Sequence, residues 1–157
     1  MNADDIVLDY TWADSVKDRD AHTDWSGEDI LDVRYHAFGG KLAFRVHGVD
    51  FAPEGMVAIL DFALSLAHVM EKLMAESDGG QCSLDFSEGE DELLFSTDGK
   101  HIIITSRRSA RQARTNTGDF RTAAKSFTKR VLADAGQAVP SLRNHPAYHA
   151  WLEEAGP

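Results

Sequence analysis

The sequence predicts an α+β domain, and three features of its 157 residues indicate that class. Several short segments alternate apolar and polar residues, which is typical of strands buried on one face. Two pairs of such segments flank Gly39-Gly40 and Asp98-Gly99, and turns of this kind favour antiparallel hairpins. A long segment between the two hairpins is apolar on nearly every side, which indicates a buried helix. Runs of strands followed by helices are typical of an α+β layer fold.

The first third of the chain is predicted to form a strand, a polar loop and a hairpin. Ile6–Trp12 alternates loosely and predicts a strand, and the polar segment 13–29 predicts a loop with a short helical turn near Ala13–Lys17. Leu31–Phe38 and Lys41–Val49 predict two strands joined by Gly39-Gly40. In that register three apolar pairs share one face: Val33 with Val46, Tyr35 with Phe44, and Ala37 with Leu42.

A long apolar helix is predicted over residues 53–77, packed against the sheet. Pro53 suits the first turn of a helix, and Asp78-Gly79-Gly80 suits its end. Polar residues form only a narrow stripe along it, which we interpret as the line where the helix meets water: Asp61, Ser65, His68 and Lys72.

The rest of the chain is predicted to add three strands and two helices, for about six strands in all. The strands are Cys82–Phe86, Leu93–Thr97 and Lys100–Ser106, the last two joined by Asp98-Gly99. The β-branched run Ile102–Ile104 predicts a central strand covered on both faces, whereas 107–116 predicts a loop or a frayed helical turn. Helices are predicted over residues 119–135, capped by Thr117 or Asp119 and ended by Gly136, and over 146–154.

Length and composition favour one cytoplasmic domain over residues 1–157. Hydrophobic residues make up 43% and charged residues 27% of the chain, which is ordinary for a globular protein. No apolar run reaches the length of a membrane span, and the first residues are acidic where a signal peptide is basic. The single cysteine, Cys82, cannot form an internal disulfide, which favours a reducing compartment.

No familiar catalytic, metal or phosphate motif is present, so no cofactor and no catalytic residue are predicted. His145 and His149 have helical ligand spacing, but Pro146 places His145 at a helix cap, and the acidic loop Asp18–Asp24 lacks the glycine of a calcium loop. Asp61, Ser65 and His68 share a helix face without a nucleophile motif. An enzyme of unknown reaction remains the least favoured alternative, because convergence of side chains in space is invisible in a sequence.

The charge is uneven along the chain, which indicates two different surfaces. Residues 1–99 carry 6 basic and 22 acidic residues, whereas residues 100–157 carry 10 basic and 4 acidic ones. The acidic segment surrounds Trp25, an aromatic anchor ringed by carboxylates that would attract a basic protein. The predicted partner-binding residues are Asp18, Asp20, Asp24, Trp25, Glu28 and Asp29. The competing interpretation is a solvated loop whose tryptophan folds back onto the core.

The basic segment gives an alternative site for nucleic acid or a phosphate ligand. Basic side chains spaced along a helix face, next to a helix start near Thr117-Gly118, suit phosphate groups. The candidate anion-binding residues are Arg107, Arg108, Arg111, Arg114, Arg121 and Lys125. At a net charge of −10 most of the surface would repel free DNA, so nucleic-acid binding ranks second.

The chain from about Leu31 to Leu132 resembles small uncharacterised bacterial α+β proteins, including those of the toxin-immunity type. The resemblance lies in five segments: Tyr35–Val46, Met56–Met74, Leu84–Phe86, Leu93–Phe95 and Ile102–Ser106. It carries no functional residue over to this chain. The absence of a catalytic motif, the acidic balance and the compact cytosolic character favour a binding protein without catalysis, an immunity or inhibitor protein that masks a basic toxin such as a nuclease.

Overall fold

Two antiparallel sheets and three longer helices make up the fold, so the predicted α+β class is confirmed. The computed structural model describes residues 5–17, 24–75, 79–86 and 91–156. The first sheet contains β1 (Ile6–Trp12), β2 (Gly39–Val46), β3 (Val49–Asp50) and β4 (Val57–Ala58). The second contains β5 (Gln81–Asp85), β6 (Glu92–Thr97), β7 (His101–Ser106) and β8 (Gln112–Asn116).

Helical segments connect and cover the sheets. They are α1 (Asp14–Lys17), α2 (Ile30–Asp32), a π-helix (Val33–Ala37), α3 (Ile59–Ala75), α4 (Thr117–Ala138), a 3-10 helix (Pro140–Asn144) and α5 (Pro146–Ala155). None of the described helices is long and apolar enough to span a membrane. The predicted first strand, the helical turn near residue 14 and the last helix are all confirmed.

The first sheet corrects the predicted hairpin at Gly39-Gly40. Both glycines lie inside β2, which pairs antiparallel with β1, β3 and β4, and residues 30–37 are helical. The apolar pairs predicted across that hairpin therefore do not form. The tight turn lies instead at His47-Gly48, where φ is 49° and 82°. Two consecutive positive φ values match the turns that best fit strand twist in a hairpin.

Helix α3 begins at Ile59, six residues after the predicted start at Pro53. Val57-Ala58 pairs with Gly39-Gly40 as a strand, so sheet pairing takes the residues that propensity assigns to the helix. The interpretation of its polar stripe as a water-facing line is wrong for Asp61, which is buried, whereas His68 is exposed. The predicted end near residue 77 lies outside the described residues.

The second sheet confirms the Asp98-Gly99 hairpin and has the order β5-β6-β7-β8. Strand β7 is internal, as predicted, but only one of its faces is fully covered because Ile103 is half-buried between the buried Ile102 and Ile104. The loop predicted over 107–116 is wrong at its end. Buried Ala113 and Thr115 alternate with exposed neighbours there, as in a strand covered on one face, and β8 pairs with β7 at the edge of the sheet.

Helices α3 and α4 share an aromatic core with both sheets. Phe62 of α3 contacts Phe127 of α4 with ring centroids 5.7 Å apart, and Phe120 of α4 contacts Phe44 of β2 and Phe95 of β6. Helix α4 is longer than predicted at both ends. Its N-cap is Asn116, whose side chain accepts a hydrogen bond from the Asp119 N–H, and it runs through Gly136 to Ala138.

Gly136 lies inside α4 because another helix leaves no room for a side chain. A Cβ at this position would lie 2.5 Å from Tyr148 Oη of α5, and that hydroxyl donates to the Leu132 carbonyl over 2.8 Å. We expect Gly136→Ala to lower the free energy of unfolding by about 1–2 kcal/mol, because overpacking exceeds the gain in helix propensity. Urea denaturation measures this change. Adding Tyr148→Phe should recover part of the loss, and a stabilising single substitution would contradict the packing.

Candidate functional site

The described part of the predicted partner-binding segment presents acids and apolar side chains together. Asp24, Glu28 and Asp29 are exposed, and Ile30 and Leu31 of α2 are 37% and 60% exposed. We call Asp24, Glu28, Asp29, Ile30, Leu31 and Asp32 the acidic–apolar surface. The other two predicted residues of this site, Asp18 and Asp20, lie outside the described residues.

Local hydrogen bonds shape this surface. The Asp29 side chain caps α2 by accepting a hydrogen bond of 2.8 Å from the Leu31 N–H. The Asp24 carboxylate accepts hydrogen bonds from the hydroxyl and the backbone N–H of Ser26, and these lower the pKa of Asp24 below its ordinary value. Within the described parts of the chain, none of the four carboxylates on the acidic–apolar surface forms an ion pair. The surface is therefore strongly negative and uncompensated by its described neighbours.

Trp25 positions this segment instead of projecting from it. The indole is half-buried and packs edge-on against Phe38 with ring centroids 5.9 Å apart. The Trp25 backbone N–H donates to Ser141 Oγ over 2.7 Å. The exposed apolar groups of the segment are Ile30 and Leu31, and the sequence predicts a strand that begins at Leu31 and assigns Ile30 to no element. The available signal was Asp29, a good N-cap residue directly before two apolar residues.

His145, the N-cap of α5, also holds the acidic–apolar surface in place. Its Nδ1 accepts a hydrogen bond from the Ala147 N–H, as predicted for a cap, and its Nε2 lies 2.8 Å from the Glu28 carbonyl oxygen. That pattern indicates the tautomer with the proton on Nε2. Nδ1 thus caps α5, and Nε2 connects that cap to the acidic–apolar surface.

The candidate anion-binding residues are accompanied by acidic or carbonyl oxygens. Arg107 pairs with Glu92 at 3.1 Å, and Arg114 pairs with Asp98 at 3.7 Å. Arg111 donates to the Asp50 carbonyl over 3.2 Å.

The remaining candidates are distributed over other elements. The Arg108 backbone N–H donates to the Asp91 carboxylate in the turn after β7. Arg121 and Lys125 are exposed on α4 and line a groove that also contains Glu71 and Glu154. Nucleic-acid or phosphate binding by this segment stays a prediction, and these acidic neighbours weaken the electrostatic case for it.

A second groove, of about 600 Å³, lies between the π-helix, α3 and β5. On its floor the Arg34 guanidinium Nε lies 2.7 Å from Asp61 Oδ1, and Asp61 is 5% exposed. The Ser65 hydroxyl donates to Asp61 over 3.4 Å and accepts from Arg34 over 3.3 Å. Ser65 is thus held between a carboxylate and a guanidinium.

Among residues 5–17, 24–75, 79–86 and 91–156, no three histidine, cysteine, aspartate or glutamate side chains are grouped so as to hold a metal ion. Cys82 is half-buried on β5. Searches of protein-family models, curated proteins and solved structures find no match to this chain.

Proposed function

We propose that this chain is a non-catalytic protein-binding protein, of the immunity or inhibitor type, that neutralises a basic toxin such as a nuclease. The observation that supports it most is the acidic–apolar surface itself. Leu31, at 60% exposure, and Ile30 project from a capped helical turn between carboxylates that have no ion pair among the described residues. An apolar anchor surrounded by charge is the usual composition of an interface that binds both tightly and selectively.

The two kinds of side chain would contribute differently. Burial of Ile30 and Leu31 would supply affinity, while the carboxylates would speed the approach of a basic protein and reject acidic ones. The contacts of Trp25 with Phe38 and of His145 with Glu28 hold the segment in place before any partner arrives. Such preorganisation reduces the entropy lost on binding.

The proposal is tested with the product of the adjacent open reading frame, purified and titrated against this chain by calorimetry. We expect Leu31→Asp to weaken binding about thirtyfold, the equivalent of about 2 kcal/mol for a central anchor. We expect Glu28→Lys to weaken binding about tenfold, mainly by slowing association. Inhibition of the partner's nuclease activity should fall in parallel.

Two control variants separate this surface from general effects. Leu152→Asp changes an apolar side chain of 38% exposure on α5, and Glu54→Lys changes the net charge as Glu28→Lys does. Both should bind within about twofold of the unmodified chain, because isolated surface changes have small effects. Equal losses in control and test variants would contradict the assignment of the surface. A complete lack of binding to the adjacent product would refute the proposed partner.

A further inference from the structure

Strand β5 is one of the two edge strands of the second sheet, and within the described residues its backbone pairs with β6 alone. The Thr97 N–H donates to the Gly80 carbonyl, and the Phe86 N–H to the Asp91 carbonyl, which fixes the register with β6. Residues of even number between these bonds therefore direct their backbone groups toward β6. The N–H and C=O groups of Gln81, Ser83 and Asp85 point away from the sheet. Within the described residues they have no backbone partner, and the Ser83 carbonyl accepts only a long hydrogen bond of 3.8 Å from the Cys82 thiol.

This unpaired edge opens onto the groove of about 600 Å³ that the π-helix and α3 close on the other side. Ser83 and Asp85 line it from β5, and Arg34, Tyr35 and His68 line it from the opposite wall. An unpaired strand edge beside a groove is the arrangement by which many domains bind an extended peptide as an additional strand. The groove volume falls within the range of ordinary ligand sites.

The charges along the groove favour a basic occupant. Arg34 is paired with Asp61 on the floor, so its charge is balanced inside the fold. Two exposed acidic residues, Asp85 and Glu154, line the groove without an ion pair among the described residues, and Glu154 also borders the groove that contains Arg121 and Lys125. In an added strand alternate side chains face the same way. Lysine or arginine at every second position would therefore meet these carboxylates.

We infer that an extended, basic segment of the partner adds to β5 as a fifth strand of the second sheet. This inference rests on the proposed function, because the groove and the acidic–apolar surface are joined by one helical segment, from Ile30 through Arg34 and Tyr35. One partner would contact α2 with a folded surface and β5 with a strand. A second copy of this chain is the less favourable occupant, since it would bring together two chains of net charge −10.

The probe is an acetylated and amidated peptide that alternates lysine and valine. It has about seven residues, which is a common strand length. Two further peptides carry N-methyl groups at every second residue. One is methylated at the odd-numbered residues and the other at the even-numbered residues, so each peptide lacks the N–H donors of one of its two edges. Amide hydrogen exchange of the full chain is followed by NMR. At a peptide concentration about ten times Kd, exchange at Ser83 and Asp85 should slow by about tenfold. Arg114, on the opposite edge strand of the same sheet, should be unaffected.

Two variants of one residue test the mode of binding. Ser83→Pro removes an N–H that points away from β6, so β5 keeps its ladder while an added strand loses a partner group. Ser83→Ala keeps that N–H and is the matched control. We expect Ser83→Pro to weaken peptide binding at least about tenfold and Ser83→Ala to leave it within about twofold. Circular dichroism and a thermal melt show whether Ser83→Pro still folds. If it does not, the two N-methylated peptides decide the question alone, because only one should bind.

The outcomes separate this inference from the proposed function. If Ser83 and Asp85 gain no protection while Leu31→Asp still weakens binding of the partner about thirtyfold, strand addition is wrong and the proposed function stands. If both N-methylated peptides bind equally, the contact is electrostatic and not a strand. Sedimentation of the chain alone gives the third outcome. A dimer that Ser83→Pro disrupts would make a second copy the occupant and overturn the inference.

Discussion

Replacing Arg34 with alanine is expected to lower the free energy of unfolding by about 3 kcal/mol, the lower end of the range for breaking a buried ion pair. The reason is Asp61, a carboxylate with 5% exposure whose Oδ1 lies 2.7 Å from the Arg34 Nε. Without the guanidinium that charge stays in the groove floor with only the Ser65 hydroxyl as a described partner. The Arg34 side chain is 29% exposed, so water would restore part of the lost solvation and keep the loss moderate.

Urea denaturation measures this loss in the free energy of unfolding, and two further variants serve as comparisons. Arg45→Ala removes an exposed arginine of β2 that has no ion pair among the described residues, and it should cost less than about 0.5 kcal/mol. The double variant Arg34→Met with Asp61→Leu should recover most of the stability, because an apolar pair needs no charge compensation. Similar losses for Arg34→Ala and Arg45→Ala would show that Asp61 does not depend on Arg34.

The same ion pair connects stability to the proposed binding. Arg34 belongs to the π-helix that continues α2, and Asp61 belongs to α3. The pair therefore ties the helical segment that carries Ile30 and Leu31 to the buried core. A π-helix costs backbone stability and is frequently found at functional sites, where neighbouring contacts maintain it. Arg34→Ala should for this reason also weaken partner binding, whereas the double variant should restore it in part.

The elements predicted correctly are those in which local pattern and tertiary packing agree. The β6–β7 hairpin and α5 each combine an alternating or amphipathic pattern with a matching turn or cap, namely Asp98-Gly99 before β7 and Pro146 at the start of α5. In these segments the side chains that the hydrophobic period places on the inner face are the ones that are buried in the structure. Short-range chemistry is then sufficient to predict the element.

The errors arose where long-range pairing overrides local propensity. Gly39-Gly40 has the composition of a turn, yet the pair lies in a strand with neighbours on both sides, and the turn forms at His47-Gly48. Pro53 suits a helix start, yet β4 pairs with β2 after it. Strand β8 is polar and basic, with little β propensity. It forms a strand because its backbone pairs with β7. No local pattern in these segments indicates which distant strand will pair with them.

The sequence predicts which segment of the chain carries the candidate site, but not which of its side chains are exposed together on one surface. The carboxylates around residues 24–29 were evident from charge, and the structure leaves those it describes exposed. For Trp25 the sequence leaves two interpretations open, an exposed anchor and an indole folded back onto the core, and its packing against Phe38 agrees with the second. The Arg34–Asp61 pair joins residues on two separate helices, and the free edge of β5 depends on strand order. Both features depend on contacts between segments that are distant in the sequence, and local sequence patterns do not indicate such contacts.

Replacing Gly40 with alanine is expected to lower the free energy of unfolding by about 3 kcal/mol, since overpacking against backbone is difficult to relieve. A Cβ at this position would lie 2.2 Å from the Thr11 carbonyl oxygen of the neighbouring β1 and 3.2 Å from Ile59 Cγ1. Relief requires β1 to move away from β2, and β1 carries Trp12, which packs on Phe38. The loss would therefore reach the core contact that also supports Trp25.

Gly39→Ala is the matched control, because it makes the same chemical change one residue earlier in the same strand. Its Cβ would meet only the Val57 carbonyl oxygen, at an ordinary contact distance of 3.8 Å. With no clash, the smaller entropy of the unfolded chain should leave this variant neutral or about 0.5 kcal/mol more stable. Equal losses at both positions in urea denaturation would mean that a loss of glycine flexibility, and not the approach of β1, explains the effect. Opposite signs at adjacent residues would show that Gly40 is required for strand proximity and not for a turn.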